Sequence, residues 1–362
     1  MDFEKFSQQI ADRIKEVLPE KFKDSNVTLS MIHKNNNVEL KALTITSPDS
    51  NMCPTIYLNS FYERYEEGSD FDSILSEIAK IRTDHEMEND FDTGLINEFA
   101  GCKDKIMPRL VNGENNELIL NNRPHKMIDS LATIYCINLG NNADGAMSIP
   151  ITNEIMNMWG IDDEVLHETA ISNLENSAIP KFVSMEEMLR QMMMPQVLEN
   201  FDGDMDMAND AIDMMMPSTD SLMYVLSNDT NMFGASMLLS NGAMDQVTQI
   251  LGENLIILPS SVHECIILKE SSDMTLADLE SMVRDVNETQ VSPEERLSDH
   301  VFKYDGETKQ LYRADKEDEH RATKENGSKK KSIADRMQEK KDILNAENKK
   351  DAPVKTREQS RV

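Results

Sequence analysis

The 362-residue chain carries 37 Lys and Arg against 66 Asp and Glu, a formal charge of −29, together with 26 methionines and a single tryptophan. That length suffices for one large or two modest domains with a sizeable core, and it excludes a minimal disulfide-stapled peptide. Nucleic acid is bound chiefly through Lys and Arg that displace condensed counter-ions, so so acidic a body predicts no direct duplex binding.

The charge is uneven. Residues 321–362 hold 13 basic and 7 acidic side chains, net +6, which leaves −35 on residues 1–320. Cys53, Cys102, Cys136 and Cys265 form no C-x-x-C pair, so no zinc ribbon or redox motif can be drawn from them. No window approaches the roughly 18 uninterrupted apolar residues of a membrane span, and Met1-Asp2-Phe3-Glu4-Lys5 has neither the basic nor the apolar region of a leader. The expectation is a cytoplasmic protein with reduced thiols.

Along the chain, Phe3, Phe6, Ile10, Ile14 and Val17 recur at spacings of three and four, which predicts an amphipathic helix ended by Pro19. Val27–Ile32 and Val38–Ile45 alternate at period two around Asn35-Asn36-Asn37, a β-hairpin pattern. Pro54–Leu58 adds a strand, and Phe61–Gly68 and Phe71–Glu88 read as helices, the latter capped at Ser69-Asp70. Leu95–Val111 reads as helical. Met127–Leu139 is apolar on both faces, like a central strand, with Ala146–Ile151 as its partner. Helices are expected over Asn153–Trp159, Asp162–Leu174 and Ser184–Met193, the last opened by a Ser184/Glu187 capping box.

Residues 195–219, rich in Asp and Met and punctuated by Pro195, Gly203 and Pro217, read as a mobile insert. Beyond it a strand-turn-strand-helix unit is written twice. Leu222–Leu226 and Ala235–Leu239 precede a helix at Met244–Leu251; Leu255–Leu258 and Cys265–Leu268 precede another at Leu276–Val286. Ser292-Pro293-Glu294-Glu295 opens a short helix, and Val301–Tyr304 with Gln310–Tyr312 brackets Asp305-Gly306 as a hairpin. From about Asp315 large apolar residues almost vanish, so the basic tail 315–362 is expected to be disordered. Within it, Ser332–Asp335 is a capping box, and Ile333, Met337 and Leu344 share a helical face.

The fold class expected is α+β: antiparallel sheets with helices packed mainly on one face and repeated ββα units in the C-terminal half. The expected domains are an N-terminal lobe 1–142, a C-terminal lobe 143–314 containing the Met/Asp-rich insert, and the tail.

Several blocks carry a resemblance: Asn51–Leu58 with Phe61-Tyr62, Arg123-Pro124-His125, Met223–Asn228, Leu258–Glu264 and Met282–Val291. In this order they resemble a bacterial family common in Firmicutes, domain of unknown function 5688, over roughly residues 1–313. Cys53 and the Met-rich insert depart from its pattern. The resemblance implies a bacterial host and no mechanism. The segment from Lys329 is similar to short basic tails on accessory proteins of conjugative or phage-like elements.

Three constellations carry candidate chemistry. Ser260-Ser261-Val262-His263-Glu264 brings a hydroxyl, an imidazole and a carboxylate close in sequence, and alternation places Ser261 and His263 on one side with Glu264 on the other. With no G-x-S-x-G elbow, the serines also read as turn formers. If a hydrolase-like or small-ligand site exists, Ser261, His263 and His125 are its candidates. Residues 202–213 place acids at positions 1, 3, 5, 9 and 12 of a calcium-loop frame, but Met207 stands where the sharp turn needs Gly. Eight methionines lie between residues 192 and 216; without a cysteine they suit an adaptable contact surface better than Cu(I). No phosphate-binding glycine loop or H-E-x-x-H occurs.

The leading expectation is a non-enzymatic interaction protein, without cofactor or metal, whose protein partner is met through the Met-rich insert and the basic tail. The alternatives are the site around His125 and His263, and an acidic decoy of nucleic-acid-binding proteins.

Overall fold

The computed structural model describes residues 1–47, 53–85, 94–142, 145–216, 221–270 and 274–324. Helix α1 (Phe3–Val17) is capped by Asp2, whose side chain accepts from Lys5 N–H, and it buries Phe6, Ile10 and Ile14 completely, as their spacing requires. Strands β1 (Asn26–His33) and β2 (Glu39–Thr46) pair antiparallel from Asn26↔Thr46 to His33↔Glu39. Asn36 and Asn37 turn the chain at φ 59° and 55°, a region asparagine tolerates better than most residues. Strand β3 (Thr55–Tyr57) completes the sheet. Together with α1, α2 (Asn59–Glu66) and α3 (Phe71–Asp84) cover one face, around Leu43, Ile45, Ile56, Ile74 and Ile78. Each such fully buried side chain contributes about 1.5–3 kcal/mol. Arg82 is 1% exposed; its Nε donates to the Ile45 carbonyl at 2.9 Å and its guanidinium lies 4.5 Å over the Phe22 ring.

The stretch expected to be helical up to Val111 is helical only in short turns, α4 (Gly94–Asn97), α5 (Phe99–Cys102) and a 3-10 turn at Lys103–Lys105. From Ile106 it is strand β4 (Ile106–Asn112), where Ile106, Pro108 and Leu110 point inward at period two and Pro108 has no N–H for a helix. After α6 (Glu117–Leu120), the expected single strand over Met127–Leu139 is a hairpin. Strands β5 (His125–Ile128) and β6 (Leu131–Asn142) turn at Asp129, φ 52°. Strand β4 takes one edge of β6, and β5 and β7 (Gly145–Pro150) share the other end to end. Strands β6 and β7, on either side of the expected domain boundary, pair antiparallel. Helices α7 (Asn153–Trp159) and α8 (Asp163–Ser177) follow, and α8 seats Leu166 and Ala170 against Tyr135 and Ile137.

The third sheet has six antiparallel strands. It begins with β8 (Pro180–Ser184), which leads into α9 (Met185–Asn200) and α10 (Met205–Met215). These helices correct the expectation of a mobile insert: α9 runs through Pro195, and Val197, Ala208 and Ile212 close a small core between the two. Arg190 ties the hairpin shut on Asp213 and on the Met216 carbonyl. Residues 217–219 lie outside the described residues. Next come β9 (Met223–Asn228), α11 (Asn241–Leu251), β10 (Asn254–Leu258), β11 (Cys265–Lys269), α12 (Leu276–Thr289), β12 (Phe302–Asp305) and β13 (Gln310–Arg313), in the sheet order β13-β12-β10-β11-β9-β8.

The α+β antiparallel architecture is as expected, with two finer corrections. The run Ala235–Leu239 is not a strand but part of a 3-10 segment, Gly234–Leu239, buried almost all round; periodicity alone cannot separate the two for so short an apolar run. In this sheet the two helices do not share a face. Leu255 and Ile257 of β10 pack toward α11, while Ile256 and Leu258 pack toward α12.

The residues after Ala314 also depart from expectation. A helix over 317–324 docks on the last hairpin: Lys324 and His320 reach Asp305, Glu317 reaches Lys303, and Lys316 reaches Asp129. The amphipathic run Ser332–Leu344 lies outside the described residues.

Candidate anion-binding cleft

Asparagines join the three sheets at one place. Asn35 donates to the Glu294 carbonyl at 2.8 Å, and Asn36 donates to those of Pro293 and Arg296 at 2.8 and 2.7 Å. Asn116, with no exposed surface, accepts from Asn36 N–H and donates to Asn35 Oδ1 and the Asn112 carbonyl. The segment Ser292–Glu295, expected to open a helix, is drawn into turns, and Ser261 bridges Arg296. The tip of the first hairpin, the end of β4 and the loop before β12 thus form one rim.

Behind that rim lies a cleft of about 420 Å³. Its walls come from β4 (Arg109, Val111), from Arg123 at the entry to β5, from Ile134 of β6, from Phe233 after β9 and from His263 between β10 and β11. Lys34, Glu294 and Glu295 stand at its edge. A smaller cavity of about 220 Å³ lies beside it and shares Arg109, Met232 and Phe233.

Arg109 arises from strand alternation. Pro108 and Leu110 face the core, so Arg109 faces the cleft, opposite Ile134. Its guanidinium rests 3.6 Å from the centre of the Phe233 ring. Burial pulls the pKa of Arg109 down, and burial followed by the charge of Arg109 does the same to Arg123. Arginine remains charged nonetheless. Among the described residues neither guanidinium has a carboxylate partner. The nearby Cys136 thiol supplies no counter-charge either: burial pushes its pKa up despite the pull of both arginines, so it stays protonated.

Phe233 occupies the left-handed region at φ 54°, where a bulky side chain costs about 1–2 kcal/mol. Three features hold it there. Its N–H donates to Nδ1 of His263 at 3.2 Å, Asn228 grips both N–H and carbonyl of Met232, and Gly234 packs where a Cβ would stand 2.5 Å from the His263 carbonyl. Because Nδ1 accepts, the neutral imidazole carries its proton on Nε2, 3.4 Å from Glu295. A strained aromatic over-determined in this way, under an arginine in a cleft, is the kind of feature that accompanies function.

Of the three residues singled out from sequence, only His263 lines the cleft. The Ser261 hydroxyl accepts from the backbone N–H of His263, 3.1 Å away, in a local turn; no bond joins it to the imidazole. His125 is exposed on β5, with Nδ1 2.9 Å from the Arg123 carbonyl. Arg109 and Phe233 were not anticipated, and Arg123 was noticed only as part of the Arg-Pro-His block. The available signal was a cation inside the apolar run Ile106–Val111, hidden by the helical reading of that run.

Asp204 of the 202–213 segment caps α10, accepting from Asp206 and Met207 N–H. Among the described residues no group of three or more His, Cys, Asp or Glu gathers to hold a metal, and no helix is long and apolar enough to cross a membrane.

Residues 3–306 match the model of a family described as a family of unknown function (DUF5688). No curated protein and no solved structure matches the chain.

Proposed function

The chain belongs to the DUF5688 family, to which no activity is assigned, and on that premise we propose that it binds a small organic anion between Arg109, Arg123 and His263. One observation carries this reading: two neighbouring, half-buried guanidiniums in one cleft lack a carboxylate partner among the described residues of a chain with 66 acidic residues. Partial burial of a charge without a partner carries a desolvation cost, and a ligand of opposite sign offsets it. Each arginine offers a planar fork of donors matched to carboxylate or phosphate oxygens. This is the small-ligand alternative of the sequence analysis, moved from His125 to the two arginines.

Thermal unfolding of the full chain in graded phosphate and acetate tests it. Bound anion at 100 times its dissociation constant stabilises by about 2.7 kcal/mol, so the midpoint rises with anion. Arg109→Met and Arg123→Met lose that rise. An equal response in all three proteins discards the reading.

A second reading concerns the α9–α10 hairpin. Met192 and Met214 are 67% and 84% exposed there, and residues 185–216 hold eight acidic side chains against one basic. Flexible thioethers on an acidic surface suit a basic amphipathic segment, and this chain carries one in residues 329–344. We take that segment as the occupant. A synthetic peptide of residues 325–350 should bind a chain ending at Lys324 and bind the full chain at least about tenfold more weakly, because the tethered copy competes at millimolar effective concentration. Equal binding to both, or none to the shortened chain, removes this reading.

A further inference from the structure

We infer that the ligand of the cleft is a phosphomonoester: one dianionic head seated on Arg109 and Arg123, carrying a compact apolar body. The inference rests on the anion-binding reading and narrows its chemistry. Two guanidiniums present two positive charges, and among the described residues neither is paired with a carboxylate. A carboxylate returns one negative charge, whereas a phosphomonoester at neutral pH returns close to two, with three terminal oxygens for two planar forks.

The rest of the cleft defines what the phosphate carries. Val111, Ile119 and Ile134 give it an apolar wall, and about 420 Å³ is within the range of pockets that enclose organic ligands. Inorganic phosphate would leave that wall wet. Glu294 and Glu295 line the cleft together with Lys34, so a second phosphate group would meet two carboxylates against one ammonium. That argues against diphosphates, triphosphates and a nucleic-acid backbone, in line with the acidity of the chain as a whole. The Phe233 ring, 3.6 Å from the Arg109 guanidinium, restricts that side chain, so less freedom is lost when the head group binds.

The test is a calorimetric comparison on the full chain at one pH and one ionic strength, with phenyl phosphate, methyl phenyl phosphate, benzoate, inorganic phosphate and phenyl diphosphate. Phenyl phosphate is expected to bind at least about tenfold more tightly than benzoate or the monoanionic diester, the loss that follows from removing one charge-assisted bond pair. It should also exceed inorganic phosphate through the apolar wall and the diphosphate through Glu294 and Glu295. Benzoate or the diester binding as tightly as phenyl phosphate overturns the dianion class and leaves the anion reading standing. A diphosphate binding more tightly than the monoester overturns the single-head assignment. No heat from any of the five overturns both the class and the reading beneath it. Arg109→Lys keeps the charge and loses the fork, and it should weaken phenyl phosphate at least about fivefold while leaving the circular dichroism spectrum unchanged.

Discussion

Replacing Asp305 by Asn should detach the helix over 317–324 and lower the stability of the whole C-terminal sheet. Asp305 is 5% exposed at the end of β12. Its Oδ1 accepts from the N–H groups of Glu307 and Thr308 at 2.9 and 3.1 Å; its Oδ2 accepts from Lys324 at 2.7 Å and faces His320 Nε2 at 3.3 Å. Burial alone would raise the pKa of this carboxyl, yet the bonds from Lys324, Thr308 and His320 outweigh it and hold it well below the usual carboxylate range. The amide keeps the Oδ1 contacts and loses the charge under Lys324, with an expected cost of about 1.5–3 kcal/mol, the worth of a hydrogen bond to a charged group. Because the folded pKa is depressed, the contribution of Asp305 is complete above the unfolded value near 4 and is lost as pH falls further toward the folded value. The assay is urea unfolding of wild type and Asp305→Asn, with chains ending at Lys324 and at Ala314 for comparison. The difference between wild type and variant should be constant from pH 5 to 8 and shrink below pH 4. A chain ending at Ala314 should be less stable than one ending at Lys324, because it lacks both partners. Equal midpoints for all four proteins would refute the docking of this helix.

Other expectations concern the cleft. Gly234→Ala places a Cβ 2.5 Å from the His263 carbonyl and 2.8 Å from Asn228 N, atoms fixed in the backbone, so about 1–3 kcal/mol should be lost in urea unfolding and anion binding should weaken with it. Asn116→Ala leaves Asn36 N–H, Asn35 Oδ1 and the Asn112 carbonyl without their partner; a loss of about 2–4 kcal/mol is expected, with faster amide exchange at the tip of the first hairpin. Ser261→Ala removes only a turn contact, so stability should fall by about 1 kcal/mol or less and anion affinity should stay as in wild type. A large loss of affinity in Ser261→Ala would bring the serine back into the site.

Much of the scaffold was legible because local pattern and tertiary packing agree. Asp2 and the Phe6, Ile10, Ile14 series specify α1, and alternation around three asparagines specifies β1 and β2. The readings that failed were those in which one residue decides. Asp129 in the left-handed region splits an apolar run into two strands, and Pro195, read as a breaker, is carried within α9. The charged, apolar-poor segment after Ala314 is ordered by ion pairs to Asp305, Lys303 and Asp129, contacts that composition does not record. The cleft was less legible than the fold. Arg109, Arg123, Phe233 and His263 come from four separate places in the chain, and only the packing of β9–β11 on β4 and β6 brings them together. His263 was singled out for its neighbour Ser261, yet its partners are Phe233 and Glu295.

The most direct measurement is an anomalous-difference map from crystals soaked in selenate, a tetrahedral dianion whose selenium can be located without ambiguity. An anion site built by two unpartnered arginines predicts a peak between the Arg109 and Arg123 guanidiniums, lost in Arg109→Met. Selenate found elsewhere on the molecule, with none between those two side chains, would contradict it.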